Sequence, residues 1–154
     1  MKDLAVISNK LAKIDVEAIK GYIAKVSEIS NLSPGAASLY LKDFIIAFDL
    51  ASNALASAMV CEADAKAALE QIKGEAYMDR AAPYLTQNSM KESDAARKVY
   101  VDIDEEVVKA KEVLSIASSY VNLFRNKTTT FRYAYEAIKK IYYSNNNDMP
   151  FEGM

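Results

Sequence analysis

Apolar positions recur every three or four residues over most of this chain, the spacing of helices that bury one face. Between residues 2 and 30 the series is Leu4, Ile7, Leu11, Ile14, Ile19, Ile23 and Val26, weakest around Gly21. It predicts one or two short amphipathic helices, with Asp15 placed to cap between them. "NLSPGAASLY" follows, in which Ser33 can accept from an exposed backbone N–H and Pro34 suits a first helical position. A long helix is predicted from there to about Arg80.

Its packing stripe alternates steps of three and four through Leu41, Phe44, Phe48, Ala51, Leu55, Ala58, Glu62, Ala65, Leu69, Ile72 and Ala76, and only Glu62 is polar. At 1.5 Å per residue such a helix runs roughly 70 Å, too long to hide its stripe without partner helices. The alanines of "LASNALASAMV" let those partners approach closely. Pro83 is expected to end the helix, since proline lacks the N–H that continues it. "APYLTQNSMKESD" then reads as a connector, with at most a short helix near Ser93 to Tyr100.

A second long helix begins at "DIDEEVV", where Asp102 or Asp104 can cap and the glutamates complement the helix dipole. The same spacing then runs through Val107, Ala110, Leu114, Ala117, Val121, Phe124, Thr128, Phe131, Tyr135, Ile138 and Tyr142. The fold class expected is all-α: an elongated helical hairpin of two long helices with one or two shorter N-terminal helices beside it, oligomeric because long stripes need covering. Residues 1–144 are expected to form a single helical domain and 145–154 a flexible C-terminal tail.

Composition narrows the chemistry. The 154 residues hold 51% hydrophobic side chains, enough for one core, and a formal net charge of −2 argues against a protein that coats polyanions over its whole surface. Anion binding would have to be local. With no histidine and Cys61 the single cysteine, an internal disulfide, the usual zinc ligand sets and Ser-His or Cys-His nucleophile pairs are all excluded. No Gly-rich phosphate loop appears, and Cys61 in an alanine-rich helix reads as small buried packing. An enzyme is not expected, nor a cofactor; carboxylate-bound metal is a distant third reading. No run approaches about 20 uninterrupted apolar residues, so no membrane partner is expected and the chain reads as cytoplasmic.

One segment departs from the overall charge. "VNLFRNKTTTFRYAYEAIKKIYY" interleaves six aromatic residues with five basic ones and one acid. Phe124, Phe131, Tyr135 and Tyr142 lie on the packing stripe, whereas Tyr133 and Tyr143 lie off it. Arg125, Arg132 and Lys139 recur every seven residues on one helix face, with Lys127 and Lys140 nearby, and only Glu136 opposes them. The first long helix carries the opposite excess, seven acids against Lys42, Lys66 and Lys73 between residues 33 and 79, but most of them cluster from Glu62 onward. Antiparallel pairing leaves the basic stripe only partly neutralised. A phosphate backbone, a sister subunit and solvent are the three partners open to it.

The arrangement resembles the UvsY recombination mediators of T-even-type bacteriophages. The resemblance begins at "KAALEQIKGEAYM", passes through "RKVYVDIDEEVVKAKEVLSIASSYVNLF" and the basic, aromatic last helix, and ends at "DMPFEGM", similar to the family's acidic tail. It implies an all-helical, ring-forming homo-oligomer without an active site. Such a protein binds single-stranded DNA and helps load a recombinase onto strands covered by single-strand-binding protein, in the cytoplasm of an infected bacterium. Lys66 and Lys73 stand in the region of the family's basic DNA motif, but Glu70 and Ile72 occupy places where basic residues would be expected. The nucleic-acid-binding residues expected are therefore Arg125, Lys127, Arg132, Lys139 and Lys140, with Lys66 and Lys73. The alternative is a structural or adaptor coiled-coil oligomer that binds no nucleic acid.

Overall fold

The computed structural model describes residues 3–146. It is all-α, with no strand among the described residues. Six helices follow in order: α1 (Leu4–Ala12), α2 (Glu17–Val26), α3 (Pro34–Glu75), α4 (Ala81–Gln87), α5 (Asp94–Ile103) and α6 (Glu105–Asn146). A 3-10 turn (Ile29–Asn31) precedes α3, and a π turn (Ala76–Arg80) joins α3 to α4. The tail expected at 145–154 falls mostly on residues 147–154, outside the described residues.

The N-terminal segment forms two helices, and the break falls at Lys13–Val16, while Gly21 sits inside α2. Side chains open both helices: Asp3 Oδ1 accepts from Ala5 N at 2.8 Å at the start of α1, and Asp15 Oδ1, within the break, accepts from Ala18 N at 3.0 Å at the start of α2. α3 starts at Pro34 as predicted, although Ser33 contributes its backbone carbonyl, accepting from Ala36 N at 3.0 Å.

Pro83 does not end the first long helix. The π turn just before it changes the bonding register, with Ala81 N–H reaching back to Ala76 O, and helix then continues through Gln87. The actual stop is two bonds around Ser89, which adopts φ 53°. Met90 N donates to Leu85 O at 2.9 Å and Ser89 N to Thr86 O at 3.1 Å, a Schellman closure with serine where glycine is usual. Ser93 caps α5 by accepting from Ala96 N at 3.1 Å. Of the two aspartates proposed to cap α6, Asp104 does so, while Asp102 pairs with Lys111 at 3.0 Å.

The chain divides into two compact units, and α3 and α6 each contribute a segment to both. The first comprises residues 1–14 and 57–121. Here Ile7 and Leu11 of α1 pack against Cys61, Ala65 and Ala68 of α3 and Ala117 of α6. Small side chains at these places let three helices meet closely. Leu69, Ile72 and Ala76 then pack on Val107 and Ala110, with Tyr100 and Val101 of α5 alongside. Ser118 Oγ donates to Glu62 Oε1 at 2.6 Å while the later Ile72 and Ala76 meet the earlier Val107 and Ala110, so within this unit α3 and α6 run antiparallel.

The second unit comprises residues 15–56 and 122–154. Phe44, Phe124, Phe131, Ile19 and Ile138 are its large fully buried side chains. The Phe44 and Phe131 rings meet with centroids 6.0 Å apart. Lys25 Nζ donates to Asp43 Oδ2 at 2.5 Å and fastens α2 to α3.

The buried stripe of α6 follows the predicted one closely, with Ala134 added. That of α3 is broader. Phe44, Ala51, Ala58, Ala65 and Ile72 are buried as expected, but the flank runs through Ala47, Cys61 and Ala68, and Phe48 is 38% exposed. In the first unit, two helices rest on α3, and a face covered by two partners is wider than a coiled-coil seam.

Candidate nucleic-acid interface

The basic side chains of α6 from Arg125 onward all belong to the second unit. Arg125, Arg132 and Lys140 are exposed, and Lys127 and Lys139 are half-buried. The heptad stripe thus turns as it proceeds. A straight helix drifts about 20° per seven residues, which carries Lys139 toward the packed side and brings Lys140 out in its place.

None of these five cations makes an ion pair among the described residues. Arg132 instead places its guanidinium Cζ 5.5 Å from the centre of the Tyr133 ring. Most acids of α3 are engaged elsewhere; Asp49 is exposed. Asp43 is held by Lys25, Asp64 by Lys10 at 3.6 Å, and Glu70 by Lys73. Glu62 takes Ser118 and Lys66, and Glu75 accepts from Gln71 at 2.9 Å. The possibility that the acidic helix neutralises the basic stripe is not realised: these carboxylates are satisfied without it.

Arg132 also borders two shallow grooves between α3 and α6 within the second unit. One, of about 220 Å³, is lined by Phe44, Ile45, Phe48 and Tyr135; the other, of about 250 Å³, by Phe48, Ser52, Leu55, Thr128 and Thr129. Sequence reasoning missed the first of these because it assigned Phe48 to the seam. The apolar Ile45 and Ile46, off the stripe and both exposed, were the available signal.

Lys66 and Lys73 lie in the first unit and are paired on their own helix, Lys66 with Glu62 at 3.4 Å and Lys73 with Glu70 at 2.9 Å. Lys73 lines an open cleft with Tyr77, Lys98 and Asp102, but Lys98 is held by Asp94 at 2.7 Å. Lys66 and Lys73 thus each have a carboxylate of their own helix beside them. No ion pair holds Arg125, Lys127, Arg132, Lys139 or Lys140 among the described residues.

Other chemistry-bearing groups read as structural. Cys61 is 3% exposed and burial pushes its thiol above the ordinary range. Among the described residues no group of three cysteine, aspartate or glutamate side chains is placed to hold a metal ion. The continuous helix Pro34–Gln87 contains an 18-residue window of mean hydropathy 1.7, long and apolar enough by length and composition to cross a bilayer, of which 28% is buried. In the second unit the exposed apolar side chains of α3 are Leu39, Ile45, Ile46, Phe48 and Leu50.

No protein-family model, curated protein or solved structure matches the chain.

Proposed function

We propose that this protein is a recombination mediator of the UvsY type, a homo-oligomer built on an elongated hairpin of α3 and α6. It binds single-stranded DNA and helps load a recombinase onto strands covered by single-strand-binding protein. The observation that carries the reading is the open cationic face of α6: Arg125, Arg132 and Lys140 are exposed and make no ion pair among the described residues, while Asp43 of α3 is held by Lys25. Unpaired guanidinium and ammonium groups on one helix face suit a phosphate backbone, which they neutralise with release of counterions. Lys127 and Lys139 flank that face, and Lys66 and Lys73, in the first unit, each stand beside a carboxylate of their own helix. Neither metal nor catalytic group enters this role. A phage-infected bacterial cytoplasm is the setting the resemblance implies.

A second reading rests on a different observation. The exposed Ile45, Ile46, Phe48 and Leu50 make α3 apolar on its outer side as well as its inner one, as in helices covered on all sides. On this reading the protein is a structural or adaptor oligomer, and the basic stripe meets a sister subunit.

Measuring solution mass together with binding of a single-stranded oligonucleotide separates the two. For the mediator, Arg125→Ala with Arg132→Ala weakens oligonucleotide binding and leaves mass and helicity intact. If that variant changes mass while the wild-type protein binds no oligonucleotide, the structural reading takes its place.

A further inference from the structure

We infer that Tyr133 and Tyr143 are base-stacking residues, so that the α6 face selects unstacked single-stranded nucleic acid over duplex. This rests on the nucleic-acid reading above and names what that surface recognises beyond charge.

Helical geometry brings the components together. At 3.6 residues per turn, Arg125, Arg132, Tyr133, Glu136, Lys140 and Tyr143 fall within about 100° of arc on one helix. Tyr133 is 64% exposed and Tyr143 55% exposed, whereas the seam aromatics Phe124 and Phe131 are fully buried. The Tyr143 ring stands edge-on to Tyr142, with centroids 5.5 Å apart and planes at 79°, which fixes its orientation against its own helix. The Arg132 guanidinium lies beside Tyr133, so a π face and a positive charge sit at one point. A nucleotide offers the matching pair, a flat base and a phosphate one bond system away.

Spacing decides how a strand would use the two rings. Tyr133 and Tyr143 are ten residues apart on α6, about 15 Å along the axis, while stacked bases are about 3.4 Å apart. The rings therefore cannot sandwich neighbouring bases. Each takes a separate base turned out of the stack, with Lys140 between them for the intervening backbone. A duplex keeps its base faces covered and offers this surface phosphates only.

The same arc argues against a protein partner. Between residues 125 and 143 it carries no leucine, isoleucine, valine or methionine, and its apolar groups are the two tyrosine rings and the Thr129 methyl. Glu136 lies on this arc between Arg132 and Lys140 and repels a phosphate placed directly over it. The strand's phosphates are thereby held to the cationic flanks.

The test compares an oligothymidylate, an abasic oligomer of the same length and a duplex, by anisotropy titration against wild type, Tyr133→Ala, Tyr143→Ala and Tyr133→Phe. Each alanine variant should bind oligothymidylate about tenfold more weakly, with affinity for the abasic oligomer and the duplex unchanged. Tyr133→Phe should bind like wild type, since the ring and not the hydroxyl is used. Equal affinity of wild type for oligothymidylate and the abasic oligomer, with inert alanine variants, overturns stacking while leaving phosphate binding standing. Loss of binding to all three ligands in an alanine variant of unchanged helicity also overturns it, by assigning the tyrosine a structural role. Failure of the wild-type protein to bind any of the three removes both this inference and the reading beneath it.

Discussion

Arg80 grips Asp104 through two parallel hydrogen bonds, Nε to Oδ2 and Nη2 to Oδ1, each 2.8 Å long. The same carboxylate caps α6, accepting from Glu106 N and Val107 N at 3.1 Å, and receives the Tyr100 hydroxyl at 2.9 Å. Asp104 is only 6% exposed, so its charge is tolerable because every lone pair is used. One residue thus joins the π turn, α5 and the start of α6. Removing the arginine as Arg80→Met leaves a buried carboxylate short of its main partner and should cost about 3 kcal/mol in chemical denaturation. A loss below about 1 kcal/mol would mean that the cap bonds suffice alone.

The pair also sets an acid limit. The Arg80 guanidinium holds the Asp104 carboxyl at about 2, below its ordinary 3.8. A depressed carboxylate contributes stability that is fully present above the ordinary value and is lost as pH falls through the folded one. Wild type should therefore lose about 2 kcal/mol on acidification across this window, and Arg80→Met should lose markedly less. Urea midpoints followed by circular dichroism at several acidic pH values check the difference.

Ser89 closes α4 in the left-handed region, at φ 53°. A side chain there is strained, and glycine is not. Ser89→Gly should stabilise the fold by about 0.5–1 kcal/mol, and Ser89→Val should destabilise it by at least about 1 kcal/mol. Thermal melts showing both variants shifted the same way would contradict the assigned closure.

Phe44 and Phe131 are both fully exposure-free and touch ring to ring in the second unit. Phe131→Ala should cost about 3–5 kcal/mol through lost burial and the cavity left behind. Tyr133→Ala, two residues further along the same helix but 64% exposed, should cost under about 1 kcal/mol. The contrast, read from paired denaturation curves, tests the inside and outside assigned to α6.

Much of this was legible from spacing alone, and what was not has identifiable causes. Val107, Ala110, Ala117, Val121, Phe124, Phe131 and Ile138 are buried where the periodic pattern places them. A strict three-four spacing missed Ala47, Cys61 and Ala68 on α3, two of which face α1 as a third helix. Composition flags alanine and cysteine as small but cannot say which partner they admit. Pro83 misled because its local rule forbids an ordinary helical bond, whereas the π turn at Ala76–Arg80 supplies another register. Among the candidate cations, heptad spacing singled out Arg125, Arg132 and Lys139, and the first two are exposed, whereas the rotation of a straight helix leaves Lys139 half-buried and Lys140 exposed. Local pairing of Lys66 and Lys73 depends on side-chain geometry that charge counts do not carry.

The central claim is that the open cations of α6 meet phosphates, and the salt dependence of single-strand binding tests it most directly. With Arg125, Arg132 and Lys140 each neutralising one phosphate, the logarithm of the binding constant should fall against the logarithm of salt with a slope of about −2 per protomer. Arg125→Ala with Arg132→Ala should bring that slope to about −0.7 while helicity stays unchanged. A wild-type binding constant insensitive to salt, or a slope that the double substitution leaves untouched, would contradict the account.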